Sequence, residues 1–243
     1  MLITYCNFGY IDFAKNLIQN LANVLKHHQL HFYCLDRQTY DKLSEYDHDF
    51  LILELFEQQI SSEFESYGTP NYNKITHTKM RVLRAALTQH SFIHFIDCDV
   101  VCLKEPMARH YQLYKQYDVV FQYDWSFENN QATKLFGYWQ CTGNMSMRKS
   151  NGTMQLISKI EEYQIRTGKN DQECLGNILV NEKLSDDIRK CKLAKMFVYP
   201  PHEYTNGSWI GDKSSIYFFH ANHVIGRHDK IELLKKVNAW VEN

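Results

Sequence analysis

The sequence predicts an α/β fold in which a mostly parallel central sheet is covered by helices. Three observations carry that prediction. Residues 2–35 read strand, helix, strand, which is the length of a βαβ unit. The strand-like runs LHFYCL and FIHFI are continuously apolar, as strands buried on both faces are. No internal repeat or linker interrupts the 243 residues, about 1.6 times the usual ~150-residue domain, so a single domain over 1–243 is expected.

The elements follow in order. LITYC (2–6) is a strand. Phe13, Leu17, Leu21 and Leu25 recur every four residues and make one helical face, with Asp12 at the position of a cap. LHFYCL (30–35) is the second strand, followed by Asp36. LILELF fits either a strand or a helical turn, and SSEFESYGTPNYNK reads as a loop. A helix is predicted over 76–89, with Met80, Leu83, Ala86 and Leu87 on its apolar side. FIHFIDCDVVCL then gives two short strands separated by Asp97-Cys98-Asp99. Pro106 suits the first turn of a helix over 106–116. YDVVFQY (117–123) and CTGNMSM read as strands, 150–166 and 171–181 as helices, KMFVY (195–199) and SIYFFHA (215–221) as strands, and 229–241 as a closing amphipathic helix.

Composition narrows the classes. Lys and Arg total 27 against 28 Asp and Glu, a net charge of -1, which removes the usual reason to propose a nucleic-acid partner. A chain of this size buries roughly 70% of its unfolded surface, so it needs neither metal nor disulfide merely to fold. No run approaches the ~18 apolar residues of a membrane span, and no basic segment followed by a signal-length apolar run opens the chain. The seven cysteines are scattered, form no CxxC pair and read as buried thiols. Together these lead to the expectation of a soluble protein in the reducing cytoplasm. The N-x-S/T sequons at Asn144, Asn151 and Asn206 are weak glycosylation signals in that setting.

Asp97 and Asp99 are the sharpest chemical signal. They lie just beyond the C-terminal end of an apolar strand, where open α/β sheets place ligands. Residues i and i+2 share a side of extended backbone, so both carboxylates could face one hard cation that neutralises a diphosphate. The other reading is a polar turn between two hydrophobic strands. A second cluster lies in HANHVIGRHDK. His220 ends an apolar strand and could complete a site for Mn²⁺ or a related ion with the two carboxylates. Gly226 permits close backbone approach to a ligand, and Lys230 can meet phosphate as a point charge. The competing reading is a solvated loop and helix start, with Asp229 as cap and Lys230 in water.

These residues resemble the GT-A nucleotide-diphospho-sugar transferases, nearest the retaining plant cell-wall xylosyl- and galactosyltransferase-like group and more distantly the glycogenin-related group. In HTKMRVLRAALTQHSFIHFIDCDVVCLKEP, Lys79, Asp97, Asp99 and Pro106 match the family's Lys-bearing helix, strand and D-x-D. CTGNMSMRKS, centred on Thr142, Gly143 and Asn144, resembles the middle motif. Asp171-Gln172 resembles a D-Q helix start, and His220, Asn222, Gly226 and Lys230 resemble the closing H-x-N…G…K pattern. The five residues between His220 and Gly226 exceed the compact glycogenin spacing.

The resemblance implies a GT-A, Rossmann-like sheet and a sugar transfer from a nucleotide diphosphate, with UDP as the nucleotide. It implies that Asp97 faces ribose and metal, while Asp99 and His220 ligate Mn²⁺ or Mg²⁺. Tyr5 and Asn7 would lie against base and ribose, with Asp36 a neighbour of the same pocket. Lys79 and Lys230 would address the nucleotide or diphosphate, Asn222 and Gly226 would complete the donor-binding set, and Gly143, Asp171 and Gln172 would line the sugar. Retaining chemistry would have the acceptor hydroxyl, on a glycan, protein or small molecule, attack from the side the leaving group vacates. Asp124, Trp125, Glu128, Tyr138, Trp139 and Trp209 lie in loop-like segments where acceptor and sugar recognition could occur, although each aromatic singly is more often packing. Two other readings are a nucleotidyltransferase, disfavoured by the missing Gly-rich loop after the first strand, and a non-catalytic carbohydrate-binding or scaffold protein.

Overall fold

The computed structural model describes residues 1–56, 59–106, 108–124, 139–181, 191–207 and 213–241. β1 (Leu2–Cys6) is followed by a 3-10 turn (Phe8–Tyr10), α1 (Ile11–Val24), β2 (Leu30–Cys34), α2 (Arg37–Leu43) and β3 (Leu51–Leu55). Next come α3 (Pro70–Gln89), β4 (Phe92–Ile96), β5 (Val100–Cys102), α4 (Ala108–Tyr114), β6 (Val119–Asp124) and β7 (Trp139–Arg148). α5 (Asn151–Thr167), α6 (Asp171–Asn181), β8 (Met196–Val198), β9 (Tyr204–Asn206), a 3-10 turn (Lys213–Ser215), β10 (Phe218–His220) and α7 (Arg227–Lys236) complete the order.

Among the described residues seven strands form the central sheet in the order β3-β2-β1-β4-β7-β6-β8, and three more form a small sheet, β5-β10-β9. β1 with β2, β2 with β3, and β6 with β8 pair in parallel, while β6 and β7 are antiparallel. The mostly parallel, helix-covered α/β architecture is the one the βαβ opening predicts. By contact density the chain divides into two compact units. One comprises Met1–Ile75, Ile96–Glu105 and His202–Asn243, and the other Thr76–Phe95 and Pro106–Pro201.

In the first unit, α1 buries Phe13, Ala14, Leu17, Ile18 and Leu21. The stripe stops there, because Leu25 is already extended and half-buried beyond the helix. Asp12 is not the cap: Tyr10 occupies that position without a side-chain cap bond, and Asp12 pairs with Arg227. Helix α2 escaped the periodicity argument. Its signal is Asp36, whose Oδ1 accepts from the Thr39 N–H at 2.8 Å and the Thr39 hydroxyl at 2.9 Å. The closing helix begins two residues before the predicted start and ends at Lys236. Asn238, in the left-handed conformation (φ 51), then turns the chain onto α1, where Asn20 donates to Ala239 O and Asn16 accepts from Val241 N–H.

In the second unit, α3 buries Met80, Leu83, Ala86 and Leu87 as predicted. The helix begins within the first unit, six residues earlier than 76, at Pro70, with the Thr69 hydroxyl accepting from the Tyr72 N–H (3.1 Å). Ser150 caps α5 by accepting from the Thr153 N–H (3.1 Å). Segment 106–116 is helical only over Ala108–Tyr114, and the strand predicted over 141–147 extends to Trp139–Arg148, while LILELF in the first unit resolves as strand β3. KMFVY is a strand over Met196–Val198 only, and SIYFFHA, in the first unit, over Phe218–His220 only. All seven cysteines are buried thiols. Of the sequon asparagines, Asn144 and Asn206 are fully buried. Among the described residues no helix is long and apolar enough to cross a membrane.

Candidate active site

The first unit brings Asp97, Asp99 and His220 together, with one donor atom from each within 4.8 Å of the others. The small sheet is responsible. β10 runs antiparallel to β5 with His220 opposite Val100, so the imidazole arrives beside the residue that precedes β5. The Ala221 N–H donates to Asp99 O (3.0 Å) and locks that register. The backbone from Asp97 to Val100 is not extended, as the i and i+2 argument assumes. The Val100 N–H donates to Asp97 O (3.0 Å) and closes a β-turn. The turn and the carboxylate cluster are therefore the same feature. Cys98, the middle residue, tucks its thiol against β1, within 3.5 Å of Thr4 Oγ1 and Tyr5 O.

Asp99 is 9% exposed, and its two oxygens have different partners. Oδ1 lies 3.3 Å from His220 Nε2, and Oδ2 lies 2.5 Å from Lys230 Nζ. Burial alone pushes the carboxyl up, but the Lys230 ammonium and His220 outweigh it and hold the group ionised well below the usual carboxylate range. Lys230 also donates to Ala221 O (2.8 Å). It reaches both from the first turn of α7. That helix is preceded by Gly226, whose φ of 95 and ψ of 156 suit glycine alone. Asn222 accepts the Gly207 N–H through Oδ1 (3.0 Å).

Two carboxylates and an imidazole are a donor set suited to Mn²⁺ or Mg²⁺. Adjacent ligands of an octahedral ion bound at ~2.1 Å stand about 3 Å apart, which the Asp99–His220 separation of 3.3 Å nearly meets. The donor set of Asp97, Asp99 and His220 fits such an ion.

The end of β1 meets the loop that precedes α3. Tyr5 donates its hydroxyl to Ile75 O (3.2 Å), and Asn7 Nδ2 donates to Ser61 O (2.7 Å) and Glu63 O (2.9 Å). Asn7 is wholly buried, and its Oδ1 has no hydrogen-bond partner among the described residues. Asp36 Oδ2 accepts from the Phe8 N–H (2.8 Å), so both its oxygens serve backbone architecture. Gly9 lies so close to this loop that a Cβ would stand 2.3 Å from Glu63 backbone atoms. Sequence reasoning missed Tyr10. Its hydroxyl donates to Glu65 O (2.7 Å), and burial together with the charges of Asp99 and Asp97 pushes its phenol well up. The available signal was the N-F-G-Y run directly after β1.

The second unit gathers the other candidates around an irregularity in β7. Phe121 pairs with Met145 and Gln122 with Cys141, so Thr142, Gly143 and Asn144 bulge out of the ladder. The Thr142 N–H donates to Gln172 Oε1 (3.3 Å), and Gln172 Nε2 donates to Asp124 Oδ2 (3.0 Å). Lys79, 3% exposed, places Nζ 3.0 Å from Asp171 Oδ2 and 3.3 Å from Thr142 O, over the Phe95 ring. Asn170 starts α6 by accepting the Glu173 N–H (2.9 Å), which sets Asp171 and Gln172 in the first turn. Asn144 Oδ1 accepts from His94 Nε2 (2.7 Å), leaving Nδ1 to accept the Tyr111 hydroxyl (2.8 Å). Asp124, at the end of β6, thus belongs with Gln172, and Trp139 packs on Gly176. Trp125, Glu128, Tyr138 and Trp209 lie outside the described residues.

The profile of one family, the nucleotide-diphospho-sugar transferases, matches residues 25–234. That span holds every motif from Lys79 to Lys230 and leaves out β1 with Tyr5 and Asn7. No curated protein matches the chain. With the α/β sheet and the ordered motifs, the match establishes that the chain belongs to the nucleotide-diphospho-sugar transferase family.

Proposed function

We propose that the protein is a divalent-cation-dependent glycosyltransferase, a single catalytic domain that moves a sugar from a UDP-sugar to an acceptor hydroxyl with retention of anomeric configuration. The observation that carries the metal dependence is the convergence of Asp97, Asp99 and His220 from segments more than a hundred residues apart. A cation held there supplies charge neutralisation for the departing diphosphate. UDP, retention and the likeness to the plant cell-wall group rest on the resemblance of the motifs. The seven buried thiols favour a reducing compartment such as the cytoplasm.

The residues of the second unit suit positioning. Asp171 is tied to Lys79 and buried, so it holds the lysine and the start of α6 rather than presenting a free nucleophile. Gln172 has both ends of its amide bound, one by Thr142 and one by Asp124, and this fixes its orientation in the first turn of α6. Acceptor attack then needs no covalent intermediate on either residue.

The test is a nucleotide-sugar panel with Mn²⁺, read as donor hydrolysis. The Asp99→Asn variant is expected to lose that hydrolysis by about 100-fold or more while keeping the wild-type circular dichroism. Full activity in excess chelator, or in Asp99→Asn, would refute the metal role.

A further inference from the structure

The proposed cation site already contains a cation. Lys230 Nζ sits 2.5 Å from Asp99 Oδ2 and 2.8 Å from Ala221 O, and so bridges the two strand ends that carry the donors. Its side chain is 18% exposed and that of Asp99 12%, so the pair is largely out of water. We propose that Lys230 is a resident counter-ion of Asp99: a divalent cation displaces its ammonium from the carboxylate, and the freed lysine becomes available to the diphosphate. This rests on the metal reading of Asp97, Asp99 and His220.

The physical case is one of competition. A buried carboxylate needs a positive partner, and removing that partner leaves an uncompensated charge. In the structure the ammonium of Lys230 meets that need. A divalent ion bound through Asp99 meets it more strongly and repels a second positive charge a few ångströms away. Lys230 can leave because α7 holds it by a flexible four-carbon stem, with Asp99 and Ala221 O as the partners that draw it in. The opposite role is also defined. Were Lys230 a supporting residue that merely orients Asp99 for the metal, its loss would weaken metal binding about 10- to 100-fold.

The two roles predict opposite signs. Mn²⁺ alone, without nucleotide, is titrated into wild type, Lys230→Met and Lys230→Arg, with free Mn²⁺ followed by electron paramagnetic resonance. Lys230→Met should bind Mn²⁺ about tenfold tighter, because Asp99 is left unpaired until the ion arrives. Lys230→Arg should stay near wild type. Unchanged or weaker binding in Lys230→Met overturns the proposal while the metal reading stands. No Mn²⁺ binding by wild type overturns both.

Should Lys230→Met not fold, the wild-type protein answers the same question. An amine-reactive label read by peptide mass spectrometry should modify Lys230 faster when Mn²⁺ is added, and no acceleration overturns the displacement.

Discussion

The Lys79–Asp171 pair shows how one buried residue constrains another. Both side chains are about 4% exposed and stand 3.0 Å apart. Removing one partner leaves a buried charge, whereas replacing both leaves a nearly apolar contact. Lys79→Met is therefore expected to lower stability by about 3–5 kcal/mol. Lys79→Met with Asp171→Leu should recover most of it, as urea unfolding would show. A loss in the double variant equal to the sum of the losses in Lys79→Met and Asp171→Leu would mean that the two charges are not coupled. Lys79 also bonds the Thr142 carbonyl, so its loss should loosen the bulge in β7 that carries Gly143.

Between elements, Glu105 clasps the turn from α1 to β2. Its carboxylate accepts the N–H groups of Lys26, His27 and His28 and meets His28 Nδ1 at 2.7 Å. Burial pushes this carboxyl up, but the N–H groups and His28 outweigh it and hold it below its ordinary value of 4.5. A depressed folded pKa contributes stability that is fully present above the unfolded value and lost as pH falls through the folded one. The stability difference between wild type and Glu105→Gln should therefore be constant from about pH 7 to about pH 5 and shrink steadily below that. Denaturant midpoints across that range measure it, and a difference that grows toward acid would contradict the assignment.

At the scale of the whole molecule, a ligand that binds only the folded chain stabilises it by mass action. Mn²⁺ at roughly 100 times its dissociation constant should add about 2.7 kcal/mol, raising Tm by about 5–10 °C for a domain of this size. Asp99→Asn should show none of that shift. A Tm that rises equally in wild type and variant would place the ion somewhere other than the carboxylate turn. Near-neutral net charge fits this picture, since a bound cation rather than a basic surface would neutralise a diphosphate.

Much of the protein was legible in its sequence. Apolar runs and four-residue spacing predicted α1, α3, β1, β2 and β4 because burial demands those patterns locally. The motifs lie in family order because chain order is a property of sequence. Short elements were harder. α2 and the start of α3 depend on single capping residues, Asp36 and Thr69, which periodicity does not weigh. Backbone detail was inferred wrongly at Asp97–Asp99, where a turn rather than extended backbone aims the carboxylates.

Partnerships between distant residues belong to the tertiary structure alone. Lys79 and Lys230 both look like phosphate ligands in the sequence, yet in the fold each holds an aspartate. Spacing along the chain says which side chains exist, and sheet register decides which of them meet. The opening α/β prediction needed only local hydrophobic pattern. Which carboxylates meet which cations was decided by the pairing of β5 with β10 and by the helices that follow.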